Sequence, residues 1–267
     1  MLSMKYGIVA STWASFSRAV TAAAIGSWLA FATCPTVFAA DGAQAAAAAK
    51  ESAKALSDYT ADLARSGRRP DYSNPPIAQY LRRIFDADTL AALPPPQAED
   101  LGWLVDWTES AQSSFKILTM FGVQKDNDIN VLIARNMATY ENEIAAAVVF
   151  MIQVGARVVR TGAIVVNSLP DREGAEIGKT GLEQTRRGLV QTVLGTTLIM
   201  SDRLKPQNAR LMMAALRDSV AVWRPYLTAN ERIRILVQLE QARAANADAG
   251  IDKDVTAISA VIRQSSN

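Results

Sequence analysis

The sequence predicts an all-α fold: a helical bundle built around one long antiparallel hairpin. Three observations lead there. Apolar residues recur at helical rather than strand spacing in almost every segment. Prolines gather in a few breaks between those segments. Glycines recur at intervals of seven, at Gly155 and Gly162 and again at Gly181, Gly188 and Gly195.

Residues 1–39 read as a cleaved secretory signal. Lys5 and Arg18 are their only charges, the uncharged run "AVTAAAIGSWLAFAT" follows, and Val37 and Ala39 occupy the minus-3 and minus-1 positions of a signal-peptidase site. The uncharged run is about 22 Å long as a helix, short of the roughly 30 Å of hydrocarbon that an anchor must cross. The expected mature chain, 40–267, is a single all-α domain placed in the periplasm or secreted.

Removing the signal takes away Cys34, the only cysteine, from a chain that has no histidine. Disulfides, thiolate nucleophiles and histidine-based metal or acid–base sites are thereby excluded. The same cleavage leaves 26 of the 28 basic residues against 26 acidic ones. A chain of zero formal charge lacks the concentrated basic face that a nucleic-acid partner requires.

The elements follow in order. Ala49, Ala53, Leu56, Tyr59 and Leu63 form a thin apolar stripe, so 40–70 is expected to hold a loosely attached N-terminal helix. The break "SGRRPDYSNPP" ends it, and Ile77, Tyr80, Leu81, Ile84 and Phe85 make a short amphipathic helix. After "LPPPQAED", acids in a first turn open a helix to about Val123, with Leu101, Leu104, Thr108, Ala111, Phe115 and Leu118 on its core face. Trp103 and Trp107 form a second apolar patch beside that face, readable as core or as a partner-binding surface.

The hairpin is expected over about 128–168 and 174–204. Asp126, Asp128 and Asn130 begin like a calcium loop, but Val131 stands where the sharp turn needs glycine and Met137 where the bidentate glutamate belongs. Asp126 or Asp128 is therefore expected to be a helix cap. The apolar stretch "IAAAVVFMIQVGA" is interrupted by Arg157 before it reaches membrane-spanning length, so no stable span is expected after signal cleavage. Across an antiparallel hairpin, facing residue numbers keep a constant sum. Gly162 is then expected opposite Gly181, Gly155 opposite Gly188, and Val148 opposite Gly195, with Arg160 and Glu183 paired at the edge of the seam. A seam without side chains lets backbones approach inside the usual 8–10 Å, and the added dispersion contact offsets the helix-propensity loss.

Three more helices close the chain. Pro206 opens one carrying Ala209, Met212, Met213, Leu216, Val220 and Trp223. Thr228 and Glu231 form a capping box ahead of Ile235, Leu236 and Leu239. Asp252 or Asp254 is expected to start a last helix bearing Val255, Ile258 and Ile262.

Three patterns suggest chemistry. Ser113-x-x-Lys116, the "YEN" at 140–142 and the "KTG" at 179–181 resemble, in order, the three elements of penicillin-binding proteins and serine β-lactamases. That resemblance would make Ser113 the nucleophile, Lys116 or Tyr140 its base, and Lys179 a carboxylate anchor. It also requires the "KTG" on a sheet edge, whereas helical glycine heptads surround it. "GAEIGKTG" falls one residue short of a phosphate-binding loop between Gly174 and Gly178. Glu141 with Glu143, or Asp106 with Glu109, would serve a carboxylate hydrolase, but Glu141 and Glu143, two apart on a helix, point in different directions, and Asp106 and Glu109, though neighbours, read as a solvated face.

The expected function is that of an exported binding or scaffold protein of the cell envelope, without cofactor or metal, whose partner is a protein or an apolar ligand. The alternative is a histidine-free envelope hydrolase using carboxylates or the Ser-x-x-Lys pair.

Overall fold

A computed structural model describes residues 37–122, 128–169 and 172–264. Most of the expected signal, including Cys34, lies outside the described residues, as does Asp126. What is described is an all-helical bundle with no strand.

Helix α1 spans Val37–Arg65, so the expected cleavage point after Ala39 falls in its first turn. It packs along α4, Leu101–Met120, and against α2, Pro75–Ile84. Loose attachment is not what the structure has. Ala46, Ala49, Ser52, Leu56 and Leu63 are all buried, and the small side chains at 46, 49 and 52 let the two backbones approach closely. At Gly42 the approach is closest: a Cβ there would lie 2.7 Å from the Trp103 ring.

Between α2 and α4 the sequence reading missed a short helix, α3, Ala87–Ala92. Asp86 caps it, accepting from the Thr89 amide at 2.9 Å and the Thr89 hydroxyl at 2.7 Å. The proline-rich loop that follows is held from the centre of the bundle. Arg157 donates to the Pro94 carbonyl and stands 3.8 Å from the Asp100 carboxylate, and Asp100 accepts from the Gln97 amide at 2.9 Å. Burial lowers the Arg157 pKa, with Asp100 opposing that shift.

The first arm of the expected hairpin is two helices, not one. Helix α5, Ile129–Thr139, ends at Tyr140, and α6, Glu141–Ser168, begins after it. Distant partners hold the break. The Tyr140 ring meets Tyr72 edge-on at 4.6 Å, and its hydroxyl donates to the Pro70 carbonyl at 3.3 Å. Asn136 donates to the Thr119 and Phe121 carbonyls at the end of α4, while Glu141 accepts from the Lys205 amide and the Asn208 side chain. These bonds outweigh the preference of a proline-free stretch for one continuous helix.

Helix α6 is the axis of the bundle. It packs against α4, against α7, Arg172–Met200, and against α8, Pro206–Trp223. Its length and mean hydropathy of 1.6 would suffice to cross a membrane, and 67% of that apolar window is buried inside the bundle. Helix α9, Ala229–Ala245, lies on α7, and α10, Ala249–Arg263, lies on α8 and α9.

Two contacts fix how α6 meets α7. A Cβ on Gly155 would lie 3.2 Å from Leu189 Cδ1, and one on Gly162 would lie 3.1 Å from Leu182 Cδ1. Both partners are one residue beyond the expected Gly188 and Gly181, so each of these glycines is a socket for a leucine. The numbers fall along one helix as they rise along the other, which makes the pair antiparallel. Gly188 and Gly195 are buried and Gly181 is half-buried. The expected Arg160–Glu183 pair is absent, because Glu183 turns to Arg187 at 3.2 Å and Arg186 at 4.0 Å on its own helix.

Caps at the remaining termini agree with local chemistry. Asp128 accepts from the Asn130 and Val131 amides, as expected of a cap rather than a calcium loop. Pro206 takes the first turn of α8. Thr228 and Glu231 form the expected box. For α10 the cap is Asp248, which accepts from the Gly250 and Ile251 amides, not Asp252 or Asp254. Four residues separate Asp248 from Asp252, and only the earlier position leaves two free amides of the first turn within reach.

Candidate functional site

A half-open cavity of about 530 Å³ lies where α2 and α3 meet the start of α6. Its apolar floor is Leu81, Phe85, Ala87 and Ala146, with Tyr72 as a wall. Helix α2 brings Leu81 and Phe85 because its apolar residues recur at three and four, and Ile77, Leu81 and Ile84 anchor the same face in the core. The Phe85 ring is braced edge-on by Phe150 of α6, centroids 6.2 Å apart.

Charges ring this floor. Arg82, Asp86, Asp88 and Glu143 all line it, three carboxylates against one guanidinium. Asp86 is committed to Thr89 as a cap. Asn142, also in the lining, accepts from Lys205 at 3.0 Å and Asn208 at 3.0 Å. Among the described residues Arg82, Asp88 and Glu143 form no side-chain hydrogen bond or ion pair. Free charges of both signs around an apolar floor are what a ligand pocket presents.

Tyr72 adds a second irregularity. It is 3% exposed, and its hydroxyl has no hydrogen-bond partner. Burial first, then Tyr140, Tyr59 and Glu143, push its pKa far above the usual phenol range, so the group is a neutral phenol. Tyr140 is also pushed up by burial, with Arg69 and Arg135 pulling the other way. A buried, unpaired hydroxyl costs about 1–3 kcal/mol.

The residues singled out from the sequence lie elsewhere. Trp107 is wholly buried and its indole donates to the Ile84 carbonyl at 2.9 Å, so it is core and not a docking surface. Trp103 is partly buried beneath Gly42, its ring 6.3 Å from that of Trp107, and its buried indole nitrogen has no partner. Gly155, Gly162 and Gly188 are buried between helices. These positions build the scaffold and none of them lines the cavity.

The catalytic patterns do not converge. Ser113 and Lys116 are exposed on α4, Tyr140 is spent on Pro70, and Lys179 pairs with Glu176 at 2.8 Å on α7. "GAEIGKTG" is wound into α7, with no loop to cradle a phosphate. Asp106 is bridged by Lys50 of α1 at 3.4 Å. Glu141 and Glu143 diverge as expected, the first toward Lys205 and Asn208, the second into the cavity. Among the described residues no group of three histidine, cysteine, aspartate or glutamate side chains is placed to hold a metal.

Sequence reasoning missed Tyr72, Arg82 and Asp88. Arg82 and Tyr72 sat in plain sight beside a break, but nothing in a linear pattern brings them to Glu143. The one local signal was Asp86-x-x-Thr89, a cap that announces a helix where a loop was expected. Compared with known proteins, the chain matches no family model, no curated protein and no solved structure.

Proposed function

We propose that this chain is a non-catalytic helical binding module that acts outside the cytoplasm, with the cavity between α2, α3 and α6 as its ligand site. The observation that carries the reading is a set of three charged side chains, Arg82, Asp88 and Glu143, that have no ion-pair or hydrogen-bond partner among the described residues and surround one apolar floor. The cavity's volume, about 530 Å³, falls within the range of pockets that take small molecules. Export rests on the signal-like composition of residues 1–39.

Ligand-induced shifts in melting temperature test the binding half. A library of small polar and amphipathic compounds should contain stabilisers of the native chain that no longer stabilise Ala146→Trp, in which an indole fills the floor. Stabilisers that act equally on both would place binding elsewhere. Hydrolytic turnover lost in Glu143→Gln would overturn the non-catalytic half. For export, the N-terminus of the native protein should be Ala40, and a retained Met1 would refute it.

A further inference from the structure

We infer that the cavity is built to take an organic cation with a short apolar body, a primary alkylammonium being the simplest case; this rests on the reading of that cavity as a ligand site. An anion would meet three carboxylates, Asp86, Asp88 and Glu143, with Arg82 alone in its favour. A wholly apolar ligand would cover Asp88 and Glu143 without giving either a partner, and desolvating an unpaired charge is strongly unfavourable. A divalent metal lacks its third anionic ligand, since no group of three such side chains is placed to hold one among the described residues. An ammonium answers each objection.

Geometry and hydrogen bonding favour the same class. Glu143 stands in the first turn of α6, and it is one of the charges felt by the Tyr72 hydroxyl, which is buried and has no partner. An ammonium seated on Glu143 would share the cavity lining with Tyr72, whose hydroxyl has no partner. The alkyl body would lie over Leu81, Phe85 and Ala146, and the Phe85 ring attracts a nearby cation through its quadrupole. Asn142 and Asp86 are already engaged, so Glu143 and Asp88 are the free anionic contacts.

Calorimetric titration of the purified chain with pentylamine, pentanol and pentanoate tests the assignment. Pentylamine should bind at least tenfold more tightly than pentanol, and pentanoate should not bind. Glu143→Gln should weaken pentylamine at least tenfold, and Ala146→Trp should abolish its binding. Tyr72→Phe removes a hydroxyl with no protein partner, so its melting temperature should hold or rise while pentylamine binds several-fold more weakly. Pentanol or pentanoate binding as well as the amine, and blocked by Ala146→Trp, would overturn the cation class while keeping the cavity as a ligand site. No binding by any of the three, or binding that ignores Ala146→Trp, would overturn both. Unchanged amine affinity in Glu143→Gln would also sink the assignment.

Discussion

Trp107 gathers several forces at one position. It fills the space between α2, α4 and α6, its ring lies 5.1 Å from that of Phe150, and its N–H satisfies the Ile84 carbonyl. Trp107→Ala should therefore lose about 3–5 kcal/mol of stability, which denaturant melts can read. Gly42 is constrained from the other side: an added methyl has no room above Trp103, so Gly42→Ala should destabilise by about 1–3 kcal/mol although alanine is the better helix former. Glu109 gives a pH-dependent case. Burial first, and then Asp106, raise its pKa above the ordinary carboxyl range, with Lys50 opposing. A raised carboxyl means that the folded state holds the proton more tightly than the unfolded chain does. The resulting penalty is present above the raised value and is relieved as the pH falls through it toward the ordinary range. Glu109→Gln should then melt higher than the parent at about pH 7, with the gap closing at about pH 4. The inward residues of α4 and α8 were readable one by one from spacing, since every apolar member of their expected core faces is buried. Tyr72 was not, because its role is set by Tyr140 and Glu143, residues about seventy positions away in the chain.

At the scale of helices, the sockets at Gly155 and Gly162 explain why α6 keeps glycine in a buried helix. Leu189 is wholly enclosed, so the methyl of Gly155→Ala has to displace a side chain with nowhere to go. That change should destabilise by about 1–3 kcal/mol, and most of the loss should vanish when Leu189→Ala is present as well. Additive effects in this double-mutant cycle would show that the two residues do not share a contact. The glycine periodicity revealed that two helices meet here; it did not reveal the one-residue offset, because a glycine marks a gap without saying which side chain fills it. The break at Tyr140 was hidden for a related reason. Nothing in 128–168 forbids a continuous helix, and the bonds that interrupt it come from Pro70, Tyr72, Lys205 and Asn208. Caps, by contrast, are local chemistry and were legible at Asp128, Pro206 and Thr228.

Taken as a whole, the molecule has α1 as an integral outer stave. Deleting residues 40–66 would bare the face of α4 that now meets Ala49, Ser52 and Leu56, so the shortened chain should aggregate or bind hydrophobic dyes while the longer one does not. The all-α class was legible because the long helices carry their own period, whereas the layering was not, since it depends on which faces choose one another. That layering has a further consequence through the central position of α6. Val148, Phe150, Met151, Ile152 and Val154 have no exposed surface, enclosed as α6 is by α4, α7 and α8. No fluctuation of a single outer helix can admit solvent to their amides from all sides. Deuterium should therefore enter this segment only when the entire bundle comes apart, so its exchange rate becomes a direct gauge of global stability, while the amides of α3 and of the chain's last turn exchange far sooner.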